Sequence, residues 1–408
     1  RSLMKLAITG IGIVSPLGNN IQENITNLKD LCVPNTEYRR SGHFSDATLT
    51  VERAFHCNYD DVDTEALGLM RKKDIRWTDP TVITSMIAVD QAVKMSGLDF
   101  PDNTPVFIGT IRGGAPNLAK FSNLLVQGKS KIHPQILLSS SHEYVSNHIS
   151  SHYKWHGPSM ATSGTCISAV QALDLAKKYM QTEGYDCAIV GGTDFMTSSM
   201  STLYFQQLGA ISPTGRSVPW DKSRDGFVMG EGTVYLVVEP LEKAEARGAS
   251  IRWVVDGLGI ANDGAHPTQP DLEGTGARIA IDRALSQAEV ETSAYDVLNA
   301  HATSTPFGDP VEYNVLRDYF PKGSYLYSNK GQIGHLMGAS GIAEIVLGAE
   351  AMCDNFVPAN AGLEVPFTDD EYFNLNKDVV SKTYNRFMKT SFGFGGRSAA
   401  VSVCKYER

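Results

Sequence analysis

Leu6-Ala-Ile-Thr-Gly10-Ile-Gly12-Ile13, at the start of the chain, returns past its middle as Val254-Val-Asp-Gly257-Leu-Gly259-Ile260. Each is a short apolar run with a Gly-x-Gly, which reads as a buried strand running into a tight turn. The third glycine of a dinucleotide-binding loop is missing, and Pro16 interrupts the helix such a loop needs, so no nucleotide site is read here. After each run comes a small-residue turn feeding an apolar helix. In the first half this is Ser163-Gly-Thr-Cys166 before Ile167 to Met180; in the second it is Gly331 to His335 before Met337 to Met352. Each half then closes on apolar strands with a glycine pair, Gly191-Gly192 and Gly395-Gly396. Three features in one order predict a duplicated α/β unit.

The chain has 408 residues, more than the roughly 250–300 at which single hydrophobic cores stop growing. The expected boundary lies between Glu239 and Trp253, after the helical Glu242-Lys-Ala-Glu-Ala-Arg-Gly248 stretch, giving halves 4–250 and 251–408. Residues Asn19 to Lys73 have weak periodicity and read as loops and short helices. Arg1-Ser2-Leu3 before Met4 is set aside as foreign to the fold.

Hydrophobic residues make up 42% and charged residues 20%, which excludes disorder. The net charge of −9 argues against general nucleic-acid binding. None of the six cysteines forms a CxxC pair, so they read as reduced thiols of a cytoplasmic protein. Gly334 to Met352 is the most lipid-like stretch, yet it carries His335, Glu344 and Glu350 and reads as a buried helix, with no membrane span.

Cys166 is the nucleophile candidate. A sharp turn before a helix offers free N–H groups and the positive end of the helix dipole, which favour a thiolate and can hold an oxyanion. Two histidines stand in glycine- and hydroxyl-rich turns: His301 in Asn299-Ala-His-Ala-Thr303-Ser-Thr305-Pro-Phe-Gly-Asp309, and His335 after Lys330-Gly-Gln-Ile-Gly334. The helix following His335 is expected to disfavour its protonated form, leaving a neutral donor for a developing oxyanion. Lys330 needs a buried partner, and Glu344 is the candidate. His148, His152 and His156 share one face if helical, but Gly157-Pro158 ends the element and no carboxylate is interleaved, so no metal site is assigned.

In this order, Gly157 to Cys166 (GPxxxxxxxC), Asn299 to Asp309 (NAHxTSTPxGD), Ser328 to Gly341 (SxKxxxGHxxGAxG) and Ser391 to Gly396 (SFGFGG) resemble the β-ketoacyl-(acyl carrier protein) synthases. These are the condensing branch of the thiolase superfamily. Val218 to Gly232 and Asp263 to Thr268 resemble two further segments of that family, so the resemblance runs from Met4 to Cys404. It implies a thiolase-like five-layered α/β/α/β/α fold of two pseudo-symmetric halves and a dimer, homomeric or with a ketosynthase-like subunit. It implies an acyltransferase that elongates an acyl chain by decarboxylative condensation with malonyl-carrier protein. A Cys-His-His set, Cys166, His301 and His335, marks the elongating members. Lys330 and Glu344 match the support of the second histidine, Thr303 and Thr305 the pantetheine contacts, and Phe394 the gate and an oxyanion N–H. The partner implied is an acyl carrier protein, whose acidity calls for a basic patch; Arg71, Lys72, Lys73 and Arg76 are the densest one. No metal or organic cofactor is implied.

The chain departs from the common pattern at Ala302, at Thr165, at Arg397-Ser398 and at Arg112, which falls where the family's acyl pocket often has an apolar residue. Arg112 therefore suggests a specialised synthase, for a polyketide or an aryl polyene, with a chain-length-factor-like partner. A thioester hydrolase would not need two histidines with a lysine network, and a scaffold subunit would not need Cys166.

Overall fold

The computed structural model describes residues 3–40, 48–269 and 271–407; Arg1 and Ser2 lie outside them. In chain order the first half carries β1 (Leu6–Val14), α1 (Ile21–Lys29), α2 (Lys72–Ile75), α3 (Pro80–Ser96), β2 (Val106–Gly109), α4 (Ala115–Val126), α5 (Gln135–Leu138), α6 (Tyr144–Tyr153), β3 (Ser159–Thr162), α7 (Ser168–Glu183), β4 (Ala188–Asp194), α8 (Ser199–Gln207), β5 (Gly232–Pro240) and α9 (Leu241–Ala246). Then follow β6 (Trp253–Asn262), α10 (Thr275–Ala288), β7 (Val297–Asn299), α11 (Gly308–Tyr319), β8 (Tyr325–Tyr327), α12 (Lys330–Ile333), α13 (Ser340–Cys353), β9 (Phe356–Val357), β10 (Val380–Ser381), β11 (Arg386–Gly393) and β12 (Arg397–Lys405).

The two Gly-x-Gly phrases are not turns; they lie inside β1 and β6. Helix packing explains them. A Cβ on Gly10 or Gly12 would stand 2.1 or 1.6 Å from the carbonyl oxygens of Ala92 and Ala88. On Gly257 or Gly259 it would stand 2.1 or 2.0 Å from those of Ala284 and Ala280. The missing side chains let α3 settle on β1 and α10 on β6 by the same contact.

The strands run β3-β2-β4-β5-β1-β6-β12-β11-β7-β8 in one ten-stranded sheet. Outward from the β1–β6 junction, both arms pair antiparallel, antiparallel, parallel, parallel. The junction itself is short: Leu6, Ala7 and Ile8 pair with Val255, Val254 and Trp253. Helix α3 covers one arm, α10 the other, and α7 and α13 pack between them and against each other. This is the five-layered stack. Every residue of α13 from Ser340 to Met352 is buried, which its two sheet neighbours require. Among the described residues no helix is long and apolar enough to cross a membrane.

The glycine pairs are not equivalents. Gly191 and Gly192 sit within β4, where Tyr235 and Ala169 fill the space of their side chains. Gly395 and Gly396 form the turn between β11 and β12, each with φ +76, a conformation glycine adopts without strain. Among its described residues the Asn19 to Lys73 segment is mostly loop, with α1 the one longer helix.

Candidate active site

The inner layer places the site. Cys166 stands two residues before α7 and His335 five before α13, while His301 follows β7. Thr165, at φ +53, makes the sharp corner before the cysteine. The corner is tied by Ser168 Oγ, which donates to Thr165 O at 2.6 Å and accepts from Gly164 N at 2.9 Å. Gly109 and Gly192 let β2 and β4 approach the first turn of α7, where a Cβ would stand 2.2 and 2.7 Å from Ala169 atoms.

Cys166 Sγ lies 3.2 Å from His335 Nε2. The backbone N–H groups of Phe394 and of Cys166 itself also point at the sulfur. The expected resting thiolate is corrected: burial pushes the thiol up to about 11, against the opposing pull of Lys330 and those N–H groups. Cys166 rests as a neutral thiol.

Both histidines sit in fixed orientations. His335 Nδ1 faces Met337 N–H at 3.1 Å and Ser340 Oγ at 2.9 Å. Its backbone is stitched to Val228 and Gly230. The main-chain N–H can only donate, so the neutral ring accepts at Nδ1 and carries its proton on Nε2. His301 Nδ1 faces Lys330 Nζ at 3.5 Å, which places its proton on Nε2 as well. The backbone N–H groups of His301 and Ala302 donate to the two oxygens of Glu312, at 2.9 and 2.7 Å. The two rings meet edge to face with centroids 5.3 Å apart. Burial holds both histidines well below the usual imidazole range, and the charges of Lys330 and Lys389 push further. The helix dipole expected at His335 is not the cause: a 3-10 turn, Met337–Ala339, separates it from α13.

Lys330 pairs with Glu344 as expected, both buried. The sequence reading missed the other half of this pair. Lys389 in β11, wholly buried, stands 3.0 Å from Glu344 Oε2 and donates to Ala300 O at 3.2 Å. Burial pushes Lys389 down to about 8. Also missed was Asp194, whose carboxylate accepts from Thr110 Oγ1 and from the backbone N–H groups of Ile111, Arg112 and Gly338. It ties the Arg112 loop to the His335 loop. A charged residue inside an apolar strand was the available signal for Lys389; Asp194, at the end of β4, offered the same signal.

A cavity of about 330 Å³ opens onto Cys166, His301 and His335. Thr303, Thr305 and Phe394 line it, and Phe307 stands 77% exposed at its rim. Phe394 is itself 44% exposed, its ring 6.4 Å from that of Phe205. Arg112 is exposed on the single chain and does not line this cavity; its backbone, not its side chain, is what Asp194 holds. Arg71, Lys72, Lys73 and Arg76 are exposed; Arg71 pairs with Asp74, Lys72 with Asp63, and Arg76 lies over Trp77. The three-histidine face does not form, because α6 ends at Tyr153 and Lys154 turns left-handed before His156.

Comparison with known proteins agrees with this geometry. The family description Beta-ketoacyl synthase, N-terminal domain, matches residues 4–244, and Beta-ketoacyl synthase, C-terminal domain, matches residues 253–364. The chain belongs to the β-ketoacyl synthase family, the condensing acyltransferases. It is 31% identical over 417 residues to 3-oxoacyl-[acyl-carrier-protein] synthase 2 of Coxiella burnetii, covering 98% of each chain. It is 30% identical to the enzyme of that name from Vibrio harveyi, again over 98% of each chain. Among solved structures, the ishigamide ketosynthase/chain length factor superposes over 100% of both chains with a TM-score of 0.87 at 23% identity. The ketosynthase of the AntDE:AntF complex, bound to its acyl-carrier protein and a hexaketide, does so with 0.83 at 21%. Likeness at those identities speaks for the fold.

Proposed function

We propose that the chain is a β-ketoacyl-acyl-carrier-protein synthase that lengthens a Cys166-bound acyl chain by two carbons. The observation that carries this reading is the meeting of the thiol with both imidazoles, Sγ and one nitrogen of each ring lying within 4.8 Å of one another, while each Nδ1 faces a donor. In the first step the Cys166 sulfur attacks the acyl thioester of the carrier; the S–acyl bond forms, and the thiol proton leaves with the carrier's pantetheine sulfur. Malonyl-carrier protein then enters past Thr303 and Thr305, and the two Nε2–H groups hold its thioester oxygen. Its C–CO₂ bond breaks, the electron pair becomes the enolate those donors stabilise, and CO₂ departs. The enolate carbon attacks the Cys166 thioester. The resulting oxyanion rests on the N–H groups of Cys166 and Phe394 until the Cys166 sulfur is expelled and reprotonated. Decarboxylation supplies the carbanion, so the reaction draws on no metal or organic cofactor.

In this reading Phe394 is the gate for the acyl chain, and the Arg71, Lys72, Lys73 and Arg76 surface receives the acidic carrier protein. A second reading, a polyketide or aryl-polyene ketosynthase working with a chain-length-factor-like subunit, is favoured by Arg112. Exposed on one chain, its guanidinium would meet the partner or a polar acyl end. Intact mass after incubation with a panel of acyl-carrier proteins, then malonyl-carrier protein, tests both. An acyl adduct absent from Cys166→Ala, followed by a ketoacyl product, is expected; no adduct on the isolated chain favours the second reading, and release of free acid without CO₂ refutes both.

A further inference from the structure

We propose that Lys389 is a positioning residue of the condensation: by taking the second oxygen of Glu344, it leaves Lys330 free to face His301 and keep that ring an Nε2–H donor. The inference rests on the two-histidine reading above. Lys389 is 0% exposed, and so is Glu344. The carboxylate therefore stands between two ammoniums, Lys330 on one oxygen and Lys389 on the other. One negative charge answers two positive ones, and water is excluded.

The groups facing this cluster come from every neighbouring element: Glu344 from α13, Lys330 from α12, Glu312 from α11, and the two imidazoles. Glu312 acts on Lys389 through space but makes no direct ion pair with either ammonium; its oxygens take the N–H groups of His301 and Ala302 and Thr390 Oγ1 at 2.6 Å. The surplus acts on the histidines. Protonating His301 at Nδ1 would set a new donor against Lys330 Nζ, and protonating His335 there would set one against Met337 N–H. Both events become harder with each ammonium behind them. A carboxylate served by Lys330 alone would form a neutral pair, draw that ammonium off His301, and leave the rings to gain protons at higher pH. Lys389 also anchors Ala300 O, next to His301 in the chain, so charge and position act at one place.

The test is CO₂ release from malonyl-carrier protein, followed against pH, by the full-length wild type, Lys389→Met, Lys389→Gln and Lys389→Arg. In the Met and Gln variants the acidic limb of the profile should move up by about one pH unit, with a loss of about fivefold at the pH of the old midpoint that approaches tenfold below it, and Arg should return it. A limb that stays in place while the rate falls would make Lys389 mere packing and overturn the inference. So would failure of both Met and Gln variants to fold. Wild type that releases no CO₂ at any pH would instead overturn the condensing reading on which the inference stands.

Discussion

Glu344→Gln removes the single carboxylate that two buried ammoniums share, and its cost should depend on pH in a direction the structure fixes. In the native protein Lys389 is held at about 8, against about 10.4 for a lysine in the unfolded chain. Below pH 8 both states carry this proton, so it adds no slope. Between pH 8 and about 10.4 only the unfolded chain carries it, and wild-type stability gains about 1.4 kcal/mol per unit. In the variant one lysine must stay neutral in the fold across the whole range, because nothing pairs it. The same slope then begins at pH 6 or lower. Breaking a buried pair costs about 3–5 kcal/mol. The deficit of the variant should thus be of that size at pH 6 and shrink by about 2.7 kcal/mol by pH 8. Guanidinium unfolding of both proteins at the two pH values, with equal denaturant slopes required, measures it. A deficit that stays constant or widens as pH rises would refute the shared-carboxylate reasoning.

Gly12→Ala and Gly259→Ala should each cost about 3 kcal/mol, since a backbone carbonyl 1.6 or 2.0 Å from the new Cβ forces α3 or α10 off its strand. Gly184→Ala, which has open space around it but φ +76, should cost only about 1 kcal/mol; thermal unfolding of the three ranks them. Alkylation of Cys166 in the free enzyme should accelerate close to tenfold per pH unit from 7 to 9, because burial holds the thiol at about 11; a plateau near neutrality would contradict this. Reversing Arg71, Lys73 and Arg76 to Glu should raise KM for carrier-bound substrate at least about tenfold and flatten its salt dependence, while turnover of a small-molecule thioester stays within about twofold of wild type.

The cluster of Cys166, His301 and His335 was legible because its setting is local in sequence: a small-residue corner before an apolar helix, and histidines set among hydroxyls and glycines. The duplicated strands were legible as a repeat, but their glycines misled. In one dimension a glycine before more apolar residues reads as a turn; only the helix lying across β1 shows that close approach, not chain reversal, removed the side chain. Lys389 and Asp194 escaped for a related reason. Each is a single charge in an apolar stretch, and its partners, Glu344 and the Arg112 and His335 loops, come from far along the chain. The thiolate was misjudged because helix position was visible and burial was not. At this site desolvation is the larger effect.

The placement of α7 and α13 bears on how the protein is made. Cys166 and His335 lie at the entrances of the two helices that each arm of the sheet presses against the other. When the ribosome has released the first half, α7 has a sheet on one side and nothing on the side α13 will occupy. That face stays bare for the whole time the remaining strands are being synthesised. The Cys166 sulfur cannot meet the His335 imidazole until the second arm docks, so a half-made chain is sticky, and the arrangement of one thiol with two imidazoles exists only once the whole chain has folded.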